Sequence, residues 1–173
     1  MNLRLSQDEV SRRVDLALEQ MNIVRYRDYA PQYLSGGEKK RVSIADILAM
    51  RPEMILLDEP TASLDPQNEE ALEGILDDLS NAGITIVVAT HDVNFAYRVA
   101  QRAMVFAHGE IIADADIDTV FASDKILETA CLKKPLLYEA FECAKSSLPI
   151  TSTGKNPRTI EEFKTCMAGV QHG

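Results

Sequence analysis

Ile55-Leu56-Leu57-Asp58-Glu59-Pro60-Thr61-Ala62-Ser63-Leu64-Asp65 is the stretch that decides how this chain reads. Met54 to Leu57 is an uninterrupted apolar run, the pattern of a strand buried on both faces of a parallel sheet. Two adjacent carboxylates end it, and Pro60 forbids its continuation. Acids are depleted in strands, so a pair of them at the end of a buried one needs a reason. A helix cap or a surface turn would supply one. A metal-nucleotide site would supply another, at the carboxyl edge of an open α/β sheet where such folds bind ligands. In that second reading Asp58 helps to hold Mg²⁺ and Glu59 is the general base for an attacking water.

Upstream lies Leu34-Ser35-Gly36-Gly37-Glu38, followed by a helical pattern from Lys39 to Ala49. Alone, a double glycine is a loop. At the start of a helix it also frees backbone N–H groups to approach a phosphate. Taken with Leu56-Leu57-Asp58-Glu59 at this spacing, the chain resembles the ATP-binding cassette (ABC) family. The resemblance makes Leu34–Glu38 the signature motif, Ile55–Asp58 the Walker B strand, Glu59 the catalytic carboxylate and Ser63-Leu64-Asp65 the D-loop. Thr90-His91-Asp92, after the apolar run Ile84–Ala89, resembles the family's switch histidine region.

The resemblance implies an α/β fold, the C-terminal part of a P-loop NTPase nucleotide-binding domain with a parallel sheet flanked by helices and part of a helical subdomain. It covers residues 1–145, with 146–173 expected as a linker and a short C-terminal helix. It implies ATP and Mg²⁺ as cofactors, Glu59 and His91 as catalytic residues, and Ser35, Gly36, Gly37, Glu38, Asp58 and Asp65 as nucleotide-site residues. Asp58 would hold Mg²⁺ through water. It also implies a head-to-tail dimer with a second nucleotide-binding domain, transmembrane permease subunits as partners, and a peripheral place on the cytoplasmic face of the cell membrane.

Within the family, Thr61-Ala62-Ser63-Leu64-Asp65 carries small residues where cytosolic translation factors carry Asn-His, and no coiled-coil heptads are present. Ala49-Met50-Arg51-Pro52-Glu53 and Leu132-Lys133-Lys134-Pro135-Leu136-Leu137-Tyr138-Glu139 resemble cobalt and nickel uptake ATPases of the energy-coupling factor group. An importer subunit for a transition metal or another small nutrient is the expectation. A non-catalytic truncated module and a non-transport ABC ATPase stand as alternatives.

The sequence has no Gly-x-x-x-x-Gly-Lys-[Ser/Thr], the Walker A loop whose amides and lysine hold the phosphates. Gly154-Lys155 is followed by Asn156 inside a Ser/Thr/Pro-rich stretch, a chance pair. The resemblance begins partway into the domain, so Walker A, the Q-loop and the adenine-stacking aromatic are expected upstream of Met1.

Composition fits this picture. With 173 residues, 46% hydrophobic, one domain with a core is expected. The net charge of −9 argues against nucleic acid and anionic membranes as partners. No run is long enough to span a bilayer and no signal peptide opens the chain, which leads to the expectation of a soluble cytoplasmic protein. Cys131, Cys143 and Cys166 are scattered, as reduced thiols are.

Local signals place the remaining elements. Ser6 with Glu9 predicts a capping box ahead of an amphipathic helix through Met21. Tyr26–Tyr33 reads as a loop, and Asp65-Pro66 as the start of a helix closed by Asn81-Ala82-Gly83. Ile84–Val88 reads as a second buried strand, Asp92 as the cap of a short helix, and His108-Gly109 as the turn of a hairpin. Helices are expected over Asp116–Ala130, Pro135–Lys145 and Thr159–Met167.

Overall fold

The computed structural model describes residues 5–147 and 156–168. The chain divides after Thr90 into two compact units. Helix α1 (Gln7–Gln20) opens the first unit, capped by the Ser6 hydroxyl, which accepts from the Glu9 amide at 3.3 Å. Only this half of the expected capping box forms, because the Glu9 carboxylate instead takes Arg12 and Arg13. Two single 3₁₀ turns, Val24–Tyr26 and Pro31–Tyr33, lead to α2 (Gly36–Ala49). Ala17, Leu18, Met21, Ile23, Leu34, Ile44, Ala45 and Leu48 are buried together in this part of the chain. Each large aliphatic side chain so removed from water contributes about 1.5–3 kcal/mol.

Arg51, at φ +55°, turns the chain out of α2, and Pro52 keeps the helix from continuing. Strand β1 (Met54–Asp58) follows, then α3 (Pro66–Asn81) and β2 (Thr85–Ala89). The two strands pair in parallel, from Met54 opposite Thr85 to Asp58 opposite Ala89. Leu72, Leu76 and Leu79 give α3 its buried face, and Gly83, at φ +88°, closes the helix into β2.

Burial of β1 on both faces is not what the structure has. Ile55 and Leu57 are buried, whereas Met54 is 57% and Leu56 71% exposed. Side chains alternate along a strand, so a continuous apolar run is fully buried only where a layer covers each face. Among the described residues of this unit, one face is covered.

The second unit begins with α4 (Val93–Val99), capped by Asp92. A hairpin follows, β3 (Arg102–Ala107) and β4 (Glu110–Asp116), with a bulge at Val105/Phe106. His108 and Gly109 both have positive φ, 53° and 80°, the type I′ geometry that suits the twist of a two-residue hairpin. The single helix expected over Asp116–Ala130 is two: α5 (Ile117–Ala122) and α6 (Asp124–Ala130). Ser123 interrupts them in extended geometry, its amide closing α5 onto Val120 and its hydroxyl capping α6 at Ile126. Helix α7 (Leu136–Ser147) includes Ser146 and Ser147, which were expected in the linker. Residues 148–155 of that linker lie outside the described residues, and α8 (Ile160–Ala168) follows. Tyr97, Ile117, Phe121, Leu127 and Tyr138 form the core here, with Tyr97 edge-on to both Phe121 and Tyr138. Among the described residues no helix is long and apolar enough to cross a membrane.

Candidate functional site

The turn into α2 is built by its own side chains. Leu34 is buried and anchors the turn, and Ser35 is the N-cap in extended geometry. The Ser35 hydroxyl accepts from the Glu38 amide at 3.3 Å, and Glu38 Oε2 accepts from the Ser35 amide at 2.8 Å. This capping box satisfies two amides that a helix start would otherwise leave unpaired. The other Glu38 oxygen accepts from the Tyr26 hydroxyl. Arg25 stands 3.8 Å from that oxygen and 4.6 Å from the centre of the Tyr26 ring. The Tyr26 hydrogen bond, followed by the Ser35 amide, holds the Glu38 carboxyl down to about 2.

The two glycines have different surroundings. A Cβ at Gly36 would meet nothing within 4 Å, so the space beside it is open. Gly37 is buried, and a Cβ on it would run into the side chain of Asn68. That amide donates through Nδ2 to Asp65 Oδ2 at 2.7 Å and accepts from Arg41 Nη2 at 3.1 Å. Asp65 caps α3 by accepting from the Asn68 amide at 2.9 Å, and these two bonds hold its carboxyl below the usual range. The expected signature and D-loop are therefore tied together within one unit.

At the carboxyl end of β1, Asp58 is exposed and sits on the last rung of the parallel pair. Glu59 has φ +42°, a left-handed conformation that a non-glycine residue adopts at a cost. Its amide still donates to the Ala89 carbonyl at 2.8 Å, extending the ladder by one bond while the chain turns away. Its carboxylate accepts from the Thr90 hydroxyl at 3.0 Å. Pro60 is buried behind it, and short backbone bonds from Ala62 to Glu59 and from Leu64 to Thr61 carry the turn to Asp65. Among the described residues no group of three or more His, Cys, Asp or Glu is placed to hold a metal. A cation at this end of β1 would meet the exposed carboxylate of Asp58, and Mg²⁺ is commonly held by one or two carboxylates together with phosphate oxygens.

His91 follows Thr90 and opens the second unit; it is exposed, and Asp92 beside it accepts from the Asn94 and Phe95 amides at 2.9 and 3.1 Å. Ser35, Gly36, Gly37, Glu38, Asp58, Glu59 and Asp65 all lie in the first unit. Sequence reasoning missed three supporting residues: Tyr26, Asn68, and Thr90 as the partner of Glu59. Asn68 carried a local signal, three residues after a capping Asp. Tyr26 had none.

The family described as ABC transporter matches residues 1–62. An energy-coupling factor transporter ATP-binding protein, EcfA2 of Methanospirillum hungatei, is 38% identical over 173 residues, all of this chain and 43% of that protein. EcfA of Carboxydothermus hydrogenoformans is 39% identical over 159 residues, 92% of this chain and 58% of that protein. Among solved structures, CbiO1 from Clostridium perfringens, described as part of the ABC transporter complex CbiONQ, superposes with TM-score 0.66 at 35% identity. That superposition covers 82% of this chain and 57% of CbiO1. An ATP-binding cassette solved in its ADP conformation, MJ1267, gives TM-score 0.67 at 25% identity over 77% of this chain and 54% of that one. The chain thus spans roughly half the length of the curated relatives it matches, 43% of one and 58% of another. By sequence and by fold, the chain is similar to ATP-binding cassette proteins, energy-coupling factor and CbiO-type ATP-binding proteins among them.

Proposed function

We propose that this chain forms the signature and Walker B portion of an ATP-hydrolysing subunit that powers an importer. The supporting observation is Glu59, turned off the end of β1 by its positive φ and held by the Thr90 hydroxyl. A carboxylate fixed beyond the strand, next to the exposed Asp58, suits a base that takes a proton from water. Asp58 would hold Mg²⁺ through water, and the metal would supply charge neutralisation at the phosphates. His91 would sense the terminal phosphate. Ser35 and Gly36 would face the nucleotide of a second nucleotide-binding domain, arranged head to tail. Asp65 would take part at the same interface.

The phosphate cradle in this proposal comes from a Walker A loop outside the 173 residues, in the same subunit or a partner. Permease subunits would place the assembly at the cytoplasmic face of the membrane. Cobalt or nickel is the cargo we favour, on the resemblance of Ala49–Glu53 and Leu132–Glu139 to cobalt and nickel uptake ATPases. The cargo would not touch this subunit. The test is ATP-driven uptake of radiolabelled cobalt or nickel by vesicles carrying the complete transporter, with Glu59→Gln as the control. Uptake that survives Glu59→Gln, or transport of neither metal, refutes the corresponding half of the proposal.

A further inference from the structure

The second unit holds a polar knot that the nucleotide motifs leave unexplained. Arg158 lies just ahead of α8. Its guanidinium donates through Nη1 to the carbonyl of Ala100, the C-cap of α4, and through Nη2 to Asp118 Oδ2 at 3.3 Å. It also stands 5.7 Å from the centre of the Tyr97 ring, whose hydroxyl donates to the other Asp118 oxygen at 3.4 Å. The side chains of Arg158 and Asp118 are only 16% and 25% exposed. The last carbonyls of a helix lack partners of their own, and here a residue 58 positions away supplies one. The segment bearing Arg158 is seated by two further contacts. Phe163 packs edge-on to Phe141 at 6.1 Å, and Lys145 donates to Asn156 at 2.8 Å.

Helix α4 links this knot to His91. It has seven residues, about 10 Å of rigid backbone. Phe95 and Tyr97 bury its inner side completely. At its amino end Asp92 is the cap, and Asn94 accepts from the Leu136 amide at 2.8 Å. His91 is the residue immediately before the cap. A helix this short moves as one body, so a contact at its carboxyl end bears on the angle of its amino end.

We propose that Arg158 is a positioning residue for His91, clamping the carboxyl end of α4 so that its amino end presents the histidine at a fixed angle. The inference rests on the proposed role of His91 only for its catalytic consequence; the mechanical link stands by itself. The residue pair Arg158 and Asp118 thereby makes the segment 156–168 a part of the switch region.

Nuclear magnetic resonance of the labelled full chain tests it. Arg158→Ala should shift the His91 imidazole signals and the Asp92 amide by more than those of His108, which sits in the hairpin turn and serves as internal reference. Hydrogen-exchange protection of the Ala100 amide should fall by about tenfold. Arg158→Lys, which keeps a cation near Asp118 but lacks the fork that reaches two acceptors, should recover part of the His91 position. Asp118→Asn should produce a smaller displacement than Arg158→Ala, because the bond to Ala100 remains. If Arg158→Ala does not fold, the Lys and Asn variants decide by the same signals. His91 signals that stay in place while those of Val99 and Ala100 move would overturn the proposal. A His91→Ala variant with normal ATPase rates would instead overturn the role of His91 and leave the clamp untouched.

Discussion

Asn68 lies over Gly37, and its side-chain amide joins Asp65 on one side to Arg41 on the other. The cap of α3 and the first turns of α2 therefore share a polar strut. The helix capped by Asp65 is thereby tied to the helix capped by Ser35.

Gly37→Ala should strain this strut, because the new methyl group falls on the Asn68 amide. Overpacking of this kind costs about 1–3 kcal/mol. Gly37→Ala with Asn68→Ala should recover part of the loss, whereas Gly36→Ala, facing open space, should be far milder. Urea denaturation of the unaltered chain and these three variants measures all three differences. Equal losses at positions 36 and 37 would contradict the packing described.

Glu59→Gln should keep ATP binding in the complete transporter and lower its hydrolysis by about 10²–10⁴-fold, since a positioned base contributes on that scale. Thr90→Val removes one hydrogen bond to a charged carboxylate, a change of about 1.5–3 kcal/mol and so roughly tenfold or more in rate if it appears in the barrier. His91→Ala should also slow turnover while leaving binding intact. Single-turnover phosphate release separates these effects from nucleotide affinity.

Glu38 should be a source of acid sensitivity. Its folded value of about 2 lies below the ordinary 4.5. A depressed carboxyl contributes stability fully above its unfolded value, and that contribution is lost as pH falls through the window from about 4.5 to about 2. Tyr26→Phe removes the largest cause of the depression, so the Glu38 titration should move up and acid unfolding should begin at a higher pH. A carbon-13 titration of the Glu38 carboxyl reads this directly. An unchanged midpoint in Tyr26→Phe would show that the phenol is not its partner in solution.

Met54 and Leu56 place two large apolar side chains on the open face of β1. Exposed apolar faces of sheets drive association, so the 173-residue chain should self-associate at high concentration. Leu56→Glu should shift it toward monomer without disturbing Ile55 or Leu57 on the covered face. Sedimentation velocity across a concentration series checks both statements.

Much of this architecture was legible because its causes are local. Ser35, Asp65 and Asp92 cap helices through amides two or three residues away, and His108-Gly109 sets its own turn. Local reading failed wherever a second partner competed. Glu9 had Arg12 and Arg13 within reach and left its cap half made. Ser123 is no strong breaker, yet its amide and hydroxyl together end one helix and begin another. The one-sided burial of β1 could not be read from an apolar run, since composition does not say which layers are present. Tyr26 meets Glu38 across 12 residues, and Thr90 meets Glu59 across 31. Such pairs are created by the fold and leave no spacing behind in the sequence.

Tyr26 also determines what position 38 can tolerate. A phenol can either donate or accept. Opposite the carboxylate of Glu38 it donates. Opposite a glutamine it could turn its proton away and receive one from the amide, while the carbonyl oxygen kept the Ser35 amide. The cap would survive with one negative charge fewer at the amino end of α2. At this position the geometry of the turn and its electrostatic field can change independently, so the charge at the amino end of α2 is open to a single exchange that leaves the loop as built.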